Sequence, residues 1–331
     1  MPPAPRIVPM GPQHLDAAAG LLAARQRRLR LSCPELPAAF ELGETHRAAL
    51  QAVMEHAGAY GVVAQREVET IGFLVGYPRV EPIWGRACWS PIEGSALAAD
   101  ADQELMRDLY AAWSSHFVGR GYFLQYVHVP AGDPDLVAAW FRTGFGAMQA
   151  HAVRDLAITP PPLPDGVNLR RAVPADIDLI DDLLPLIPDA LAAPPAYAIR
   201  LPEQVAAHQA LWAAELEEPS AHHWLAEEDG RALSLATFYP ADPGPMVPDG
   251  AWELSVAMTR PEMRGRGLMR ALVAAGFAEA REAGAGHCIT DWRTASLPTH
   301  RSWTALGFRP THHRLHRHLD ERIAWADGRR A

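Results

Sequence analysis

Between an apolar, strand-like run and an apolar, helix-patterned run, the chain carries Arg264-Gly265-Arg266-Gly267, in the stretch TRPEMRGRGLMRALV from Thr259 to Val273. A strand, a glycine turn and a helix in that order make an anion site. The first amides of a helix lack internal acceptors and point outward. The aligned peptide dipoles add partial positive charge at the same end. Gly265 and Gly267 remove side chains that would block close approach, and they permit positive φ. Arg264 and Arg266 add mobile charge. Such a turn suits a phosphate or pyrophosphate. It is not a P-loop, because no Gly-Lys-Ser/Thr follows.

The segment needs a scaffold, and the sequence supplies it twice. An offset of 163 residues brings Trp89 onto Trp252, Leu105-Met106-Arg107 onto Leu268-Met269-Arg270, Trp140 onto Trp303, and Gly144-Phe145 onto Gly307-Phe308. An offset of 162 aligns the earlier part, Tyr77-Pro78 falling on Tyr239-Pro240. The period is too long for a solenoid repeat and describes a duplicated domain. The Pro-rich stretch ITPPPLPDGV, residues 158–167, reads as a semi-rigid spacer between the copies. The expected division is 1–158, a linker at 159–165, and 166–331.

Within the second copy, LRRAVPADIDLIDDLL predicts a short strand and an amphipathic helix, and residues 201–217 a further helix. Asp229-Gly230 between β-tending runs predicts a hairpin. A strand over AWELSVAMT, a helix from about Gly267 to Ala283, the strand HCITDW, a short helix closed by Gly307 and a final strand complete the order. The expected class is mixed α/β, with each domain a mainly antiparallel sheet flanked by helices.

With 331 residues, the chain suits two domains of ordinary size. Its formal net charge of -9 argues against sequence-independent nucleic-acid binding. The three cysteines are far apart and form no CxxC, which fits a reducing compartment. No apolar run is long enough to span a bilayer, and the first residues lack signal-peptide character, so neither a membrane nor export is expected, and the compartment expected is the cytoplasm. His312, His313, His316 and His318 gather near the end of the sequence. No Cys or carboxylate at suitable spacing completes a metal set with them, so a solvated strand and no metal are expected.

TRPEMRGRGLMRALV resembles motif A of the GCN5-related N-acetyltransferases (GNAT), Arg/Gln-x-x-Gly-x-Gly/Ala. Arg264 stands at the first position and Gly267 at the first glycine; Met269 replaces the final Gly or Ala. SLPTHRSWTALGF resembles a second signature, Asn-x-x-Ala-x-x-x-Tyr-x-x-x-Gly-Phe. Gly307-Phe308 match, while Ser296, Thr299 and Trp303 replace Asn, Ala and Tyr. The resemblance covers nearly all of the second copy and, through the duplication, implies a tandem arrangement.

The resemblance implies acetyl-CoA as co-substrate and an amine of a small molecule as acceptor. The pyrophosphate would sit on the amides of residues 264–269, thus Arg264, Gly265, Arg266, Gly267, Leu268 and Met269. The pantetheine arm would pair with main-chain groups at Met258-Thr259, with Ser296 near the cofactor. A donor for the thioester oxygen would be a backbone amide near Met258. Glu253, on the strand before the loop, is the first candidate base. Asp291 lies after the next strand near the acceptor mouth. Trp303 stands where the family's Tyr acid would be, and carries no titratable proton; Tyr239 and His300 are weaker candidates for that role. A protein amine as acceptor, or a non-catalytic acyl-CoA-binding protein, remains open on the same residues. So does a monomer with a pseudo-dimeric domain pair, against a homodimer.

In the first copy, Ala101-Asp102-Gln103-Glu104 replaces the Arg-Gly turn, with Asp100 before it. Carboxylates at a helix start stabilise the helix and repel a pyrophosphate. The first domain is therefore expected to keep the scaffold without binding CoA in this mode, in a structural or regulatory role.

Overall fold

The computed structural model describes residues 5–199 and 201–326. The chain forms two compact units. In chain order the first elements are β1 (Arg6–Pro9), α1 (Leu15–Arg30), α2 (Gly43–Glu55), β2 (Tyr60–Arg66), β3 (Glu69–Glu81), β4 (Gly85–Ser90), β5 (Ser95–Leu97), α3 (Leu105–Val118), β6 (Leu124–Pro130), α4 (Pro134–Arg142) and β7 (Gly146–Asp155). They are followed by β8 (Asn168–Arg171), α5 (Ile177–Ile180), α6 (Leu186–Ala192), α7 (Pro202–Glu217), β9 (His222–Glu228), β10 (Arg231–Pro240), β11 (Trp252–Thr259), α8 (Leu268–Glu282), β12 (His287–Arg293), α9 (Leu297–Ala305) and β13 (Arg309–His318).

The duplication is visible in the elements. α8, β12, α9 and β13 each begin 163 residues after α3, β6, α4 and β7. The mixed α/β class, with mainly antiparallel pairing, is the one expected.

The first unit comprises residues 1–150, 244–246 and 311–331. Its strands run β1-β2-β3-β4-β6-β13, and β5 pairs with β3. Among the described residues of this unit, β4 and β6 form the parallel pair. Neighbouring residues of one strand face opposite sides of a sheet. Val63 and Phe73 accordingly pack on Leu22 of α1 and Leu50 of α2, while Val62 and Leu74 pack on Leu109 and Trp113 of α3. In α1 the buried residues Leu15, Ala18, Leu22 and Leu29 keep one helical face. Asp133 caps α4 by accepting from the Leu136 amide, with Pro134 in the first turn.

The second unit comprises 151–243 and 247–310. Its strands run β8-β9-β10-β11-β12, and the later half of β7, from His151, lies beside β12. Ile180, Leu183 and Trp212 pack on Leu225 and Leu235. On α8, Leu268, Leu272, Val273 and Phe277 are buried, each contributing about 1.5–3 kcal/mol through burial. Glu279 fixes the far end of α8: it accepts from Trp224 Nε1 at 2.9 Å, pairs with His222 Nδ1 at 2.8 Å, and forms an ion pair with Arg171.

Two expectations change here. The compact units do not follow the boundaries at 158 and 166, because the last strands are exchanged. β13, from the second copy, pairs antiparallel with β6 of the first unit, His312 opposite Pro130 and His318 opposite Leu124. For the same reason much of the histidine-rich strand is not solvated, although His318 at its end is exposed. Leu315 is fully buried in the first unit's core and His312 is 1% exposed. Sequence alternation marks a segment as a strand, but it does not say which sheet edge the strand completes. The outermost residues of the expected domains, 1–4 and 327–331, lie outside the described residues.

Gly276 lets α8 approach the sheet. A Cβ there would stand 2.3 Å from the Phe238 ring, itself fully buried. Gly276→Ala should therefore destabilise the protein by about 1–3 kcal/mol through overpacking, read as a lower urea midpoint for the second unit.

Candidate active site

β11 ends at Thr259, and a single 3-10 turn, Pro261–Met263, leads to the glycine turn. Met263 and Leu268 are buried against Leu233 and anchor the turn from beneath. Arg264, Gly265 and Arg266 are exposed above it. Gly265 has φ 77 and Gly267 φ 83, a left-handed conformation that costs other residues about 1–2 kcal/mol. Gly267 also lies under the linker: a Cβ there would touch Pro161 at 3.5 Å.

Among the described residues, nothing accepts a hydrogen bond from the amides of residues 265–270. The Arg264 amide bonds back to Pro261, and the next paired amide is Ala271, on Gly267. No side chain caps α8 and no acid sits in its first turn. An array of free amides at a helix start is a fitting cradle for a diphosphate. Arg264 Nε lies 3.4 Å from the Thr259 carbonyl, and Arg266 Nη1 lies 3.3 Å from Met263 Sδ. Neither guanidinium is held by a carboxylate in these contacts.

The corresponding turn of the first unit is closed by its own groups. The amide of Glu104 donates to the Asp102 carboxylate at 3.0 Å. Those of Leu105, Met106 and Arg107 donate to the carbonyls of Asp102, Gln103 and Glu104. Glu104 pairs with Arg107 and Arg142, and Asp100 with Arg66. The helix start thus carries its own anions and internal acceptors.

β11 and β12 pair in parallel only at Trp252–Cys288 and Glu253–Ile289. The Thr290 hydroxyl then donates to the Leu254 carbonyl at 2.7 Å and ends the ladder. Beyond Leu254 the two strands separate, leaving one edge of β11 without a ladder partner up to Thr259. An irregularity between Thr237 and Phe238 of β10 leaves Ser255 unpaired on the other side, a bulge of the kind found beside active sites. Met258 is buried, and its carbonyl accepts from Ser234 Oγ at 2.9 Å; the same hydroxyl meets Thr259 Oγ1 at 2.7 Å. The free edge of β11 therefore runs from the strand separation to the glycine turn, the path an added extended chain would take.

Glu253 sits at the last laddered position, opposite Tyr239 on β10 and Ile289 on β12. Burial, followed by the charges of Asp291 and Asp242, raises its carboxyl above the ordinary value near 4.5. Asp291 on β12 is partly exposed and lies 3.8 Å from His151 Nδ1. His151 reaches the second unit on β7, so sequence reasoning had no means of placing it there. Asp242 was also missed: it lies two residues beyond β10, and nothing in its local pattern marks it.

The other expected residues have structural partners. Ser296 stands at the start of α9, its hydroxyl 2.7 Å from Thr299 Oγ1. Trp303 is buried with its ring 5.8 Å from Phe308, edge to face. His300 is exposed and packs on Trp292. No helix among the described residues is long and apolar enough to cross a membrane.

Residues 190–308 match the family model described as the acetyltransferase (GNAT) family. A GCN5-related N-acetyltransferase from Sphaerobacter thermophilus shares 16% identity and a TM-score of 0.59, over 95% of each chain. A tandem GNAT protein from the clavulanic acid biosynthesis pathway shares 15% identity and a TM-score of 0.51, over 95% of this chain and 98% of that one. A glucosamine N-acetyltransferase region of a fungal multi-domain β-N-acetylglucosaminidase shares 13% identity and a TM-score of 0.52, over 95% of this chain and 38% of that one. A search of curated proteins gave no match. The fold is the one shared with these GNAT structures. Residues 190–308 form a domain of the GNAT family, in a chain whose fold resembles a tandem GNAT protein throughout.

If the free amides of the glycine turn hold a diphosphate, Arg264→Asp combined with Gly267→Glu should lower CoA affinity more than about 10-fold by placing two carboxylates against it. Isothermal calorimetry reads this directly. Unchanged affinity would remove the turn from the site.

Proposed function

We propose that this protein transfers an acetyl group from acetyl-CoA to an amine of a small molecule, and that the unit containing the glycine turn does so. The observation that carries this reading is the set of unpartnered amides over residues 265–270, continuous with the free edge of β11. Bound there, acetyl-CoA would supply the activated acyl group as a thioester. Gly265, Gly267 and the first amides of α8 would hold its diphosphate, with Arg264 and Arg266 screening the charge. The edge from Ser255 to Thr259 would align its extended arm.

Glu253 would take the proton. An amine is protonated at neutral pH and attacks only after losing that proton. A carboxylate whose affinity for protons is raised by burial is the better acceptor. Asp291 and Asp242 add negative charge nearby, which favours an incoming ammonium group. Trp303 packs in the core and has no proton to give at neutral pH. A thiol of ordinary acidity, near pKa 8.5, leaves without a dedicated acid. In the first unit the closed turn at Asp102–Arg107 favours a role other than CoA binding in this mode.

The test is release of free thiol from acetyl-CoA across a panel of small amines. Turnover is expected on at least one of them. Binding of CoA with no turnover on any amine, protein amines included, would instead make this an acyl-CoA-binding protein.

Glu253→Gln should lower kcat about 100-fold or more. In the native enzyme the rate should rise with pH as Glu253 loses its proton, with a midpoint above 4.5; the variant should lack that limb. The stability effect has the opposite direction. A carboxyl raised in the folded state stabilises below its unfolded pKa, and that contribution is lost as pH rises through the folded one. At neutral pH the Gln variant should therefore be at least as stable as the native protein, which separates lost chemistry from lost folding.

A further inference from the structure

In the first unit, three elements carry a charged or polar group each, and at two of those positions the second copy is apolar. Arg25 comes from α1, His46 from α2, and Glu93 from the 3-10 turn Ile92–Gly94 between β4 and β5. Arg25 is 5% exposed and His46 is fully buried. Arg25 Nη1 donates to the Ser95 carbonyl. Its Nε and Nη2, and both ring nitrogens of His46, have no hydrogen-bond partner among the described residues. Glu93 is only partly buried, and so connects the group to solvent.

α2 packs against both α1 and the Ile92–Gly94 turn, so Arg25 feels the charge of Glu93 and His46 that of Arg25. Burial lowers the Arg25 guanidinium to about 10, with the Glu93 charge opposing the shift and Arg28 adding to it. Burial, then Arg25, lowers His46 to about 4, leaving it neutral; the Phe40 backbone, which forms no full hydrogen bond with it, pulls the other way. Burial raises the Glu93 carboxyl. Yet no ion pair closes between Arg25 and Glu93 among the described residues.

A buried guanidinium with two idle donors, beside a buried imidazole with two idle nitrogens, is an expensive arrangement. Packing does not require it. At the positions of Arg25 and Glu93 the second copy has Ile187 and Val256, both packed against that unit's apolar core, while His46 falls on a second histidine, His208. The free donors of Arg25 match a planar carboxylate. A simple anion would leave Glu93 opposed to it, whereas a ligand that also carries an ammonium satisfies both ends. His46, neutral, offers one donor and one acceptor between them.

We propose that this group is a binding site for a small amino acid, its carboxylate on Arg25 and its ammonium on Glu93, in the unit whose glycine turn is lost. The duplicated scaffold would then carry a ligand-sensing site in its first half. No bond is made or broken there.

The experiment is thermal unfolding of the full chain with glycine, L-alanine or L-glutamate, and with sodium acetate or methylammonium chloride as half-ligands, each at about 10 mM. At least one amino acid should raise the midpoint by several degrees, and more than either half-ligand. Glu93→Gln should keep the acetate response and lose the increment due to the ammonium. Arg25→Met, which replaces a buried cation by an apolar chain of similar length, should abolish all responses. Should that variant not fold, calorimetric titration of the native protein and Glu93→Gln with the same amino acids carries the test. The proposal fails if no amino acid shifts the midpoint, if acetate alone matches the amino acids, or if the shift survives unchanged in the variants.

Discussion

The amides of residues 265–270 are the constraint around which the second unit is arranged. Nothing among the described residues accepts from them. Buried in a protein interior, such groups would be costly; at a helix start facing solvent they are a standing site for an anion. Around them, the buried Met263 and Leu268 hold the turn down, two left-handed glycines shape it, and Glu279 ties the other end of α8 to β8 and β9. The same turn in the first unit shows what happens without that constraint. Asp102 and the carbonyls that follow it take up the amides, and Glu104 is paired twice by arginines.

Strand separation provides the second half of the site. A parallel pair that ends after two residues leaves an edge that would otherwise be laddered, and the Thr290 hydroxyl on the Leu254 carbonyl fixes where it ends. Glu253 sits at that point, where burial, then the charges of Asp291 and Asp242, hold back its ionisation. Position and proton affinity therefore come from the same geometric feature.

The two copies have diverged by moving polarity around one scaffold. The second keeps free amides at its helix start and apolar residues at Ile187 and Val256. The first fills the helix start with carboxylates and places Arg25 and Glu93 where the second is apolar. The shared elements, displaced by 162 residues in the earlier part and 163 in the later, carry both arrangements because the polarity differs at turn and cleft residues and not in the order of strands and helices.

Local chemistry was legible in the sequence because it depends on neighbouring residues. Gly265 and Gly267 between a strand pattern and a helix pattern specify the turn; Trp89 with Trp252 and Trp140 with Trp303 reveal the duplication; alternation and helical spacing give the mixed α/β class. Tertiary structure alone decided which strand completes which sheet. β13 runs beside β6, so His312 and Leu315 of the histidine-rich segment are interior, and the later half of β7 carries His151 to Asp291. It also decided that Asp242 acts on Glu253, and that the elements carrying Arg25, His46 and Glu93 pack together. Those outcomes depend on contacts between residues distant in the chain, and a period-two pattern carries no record of its partner.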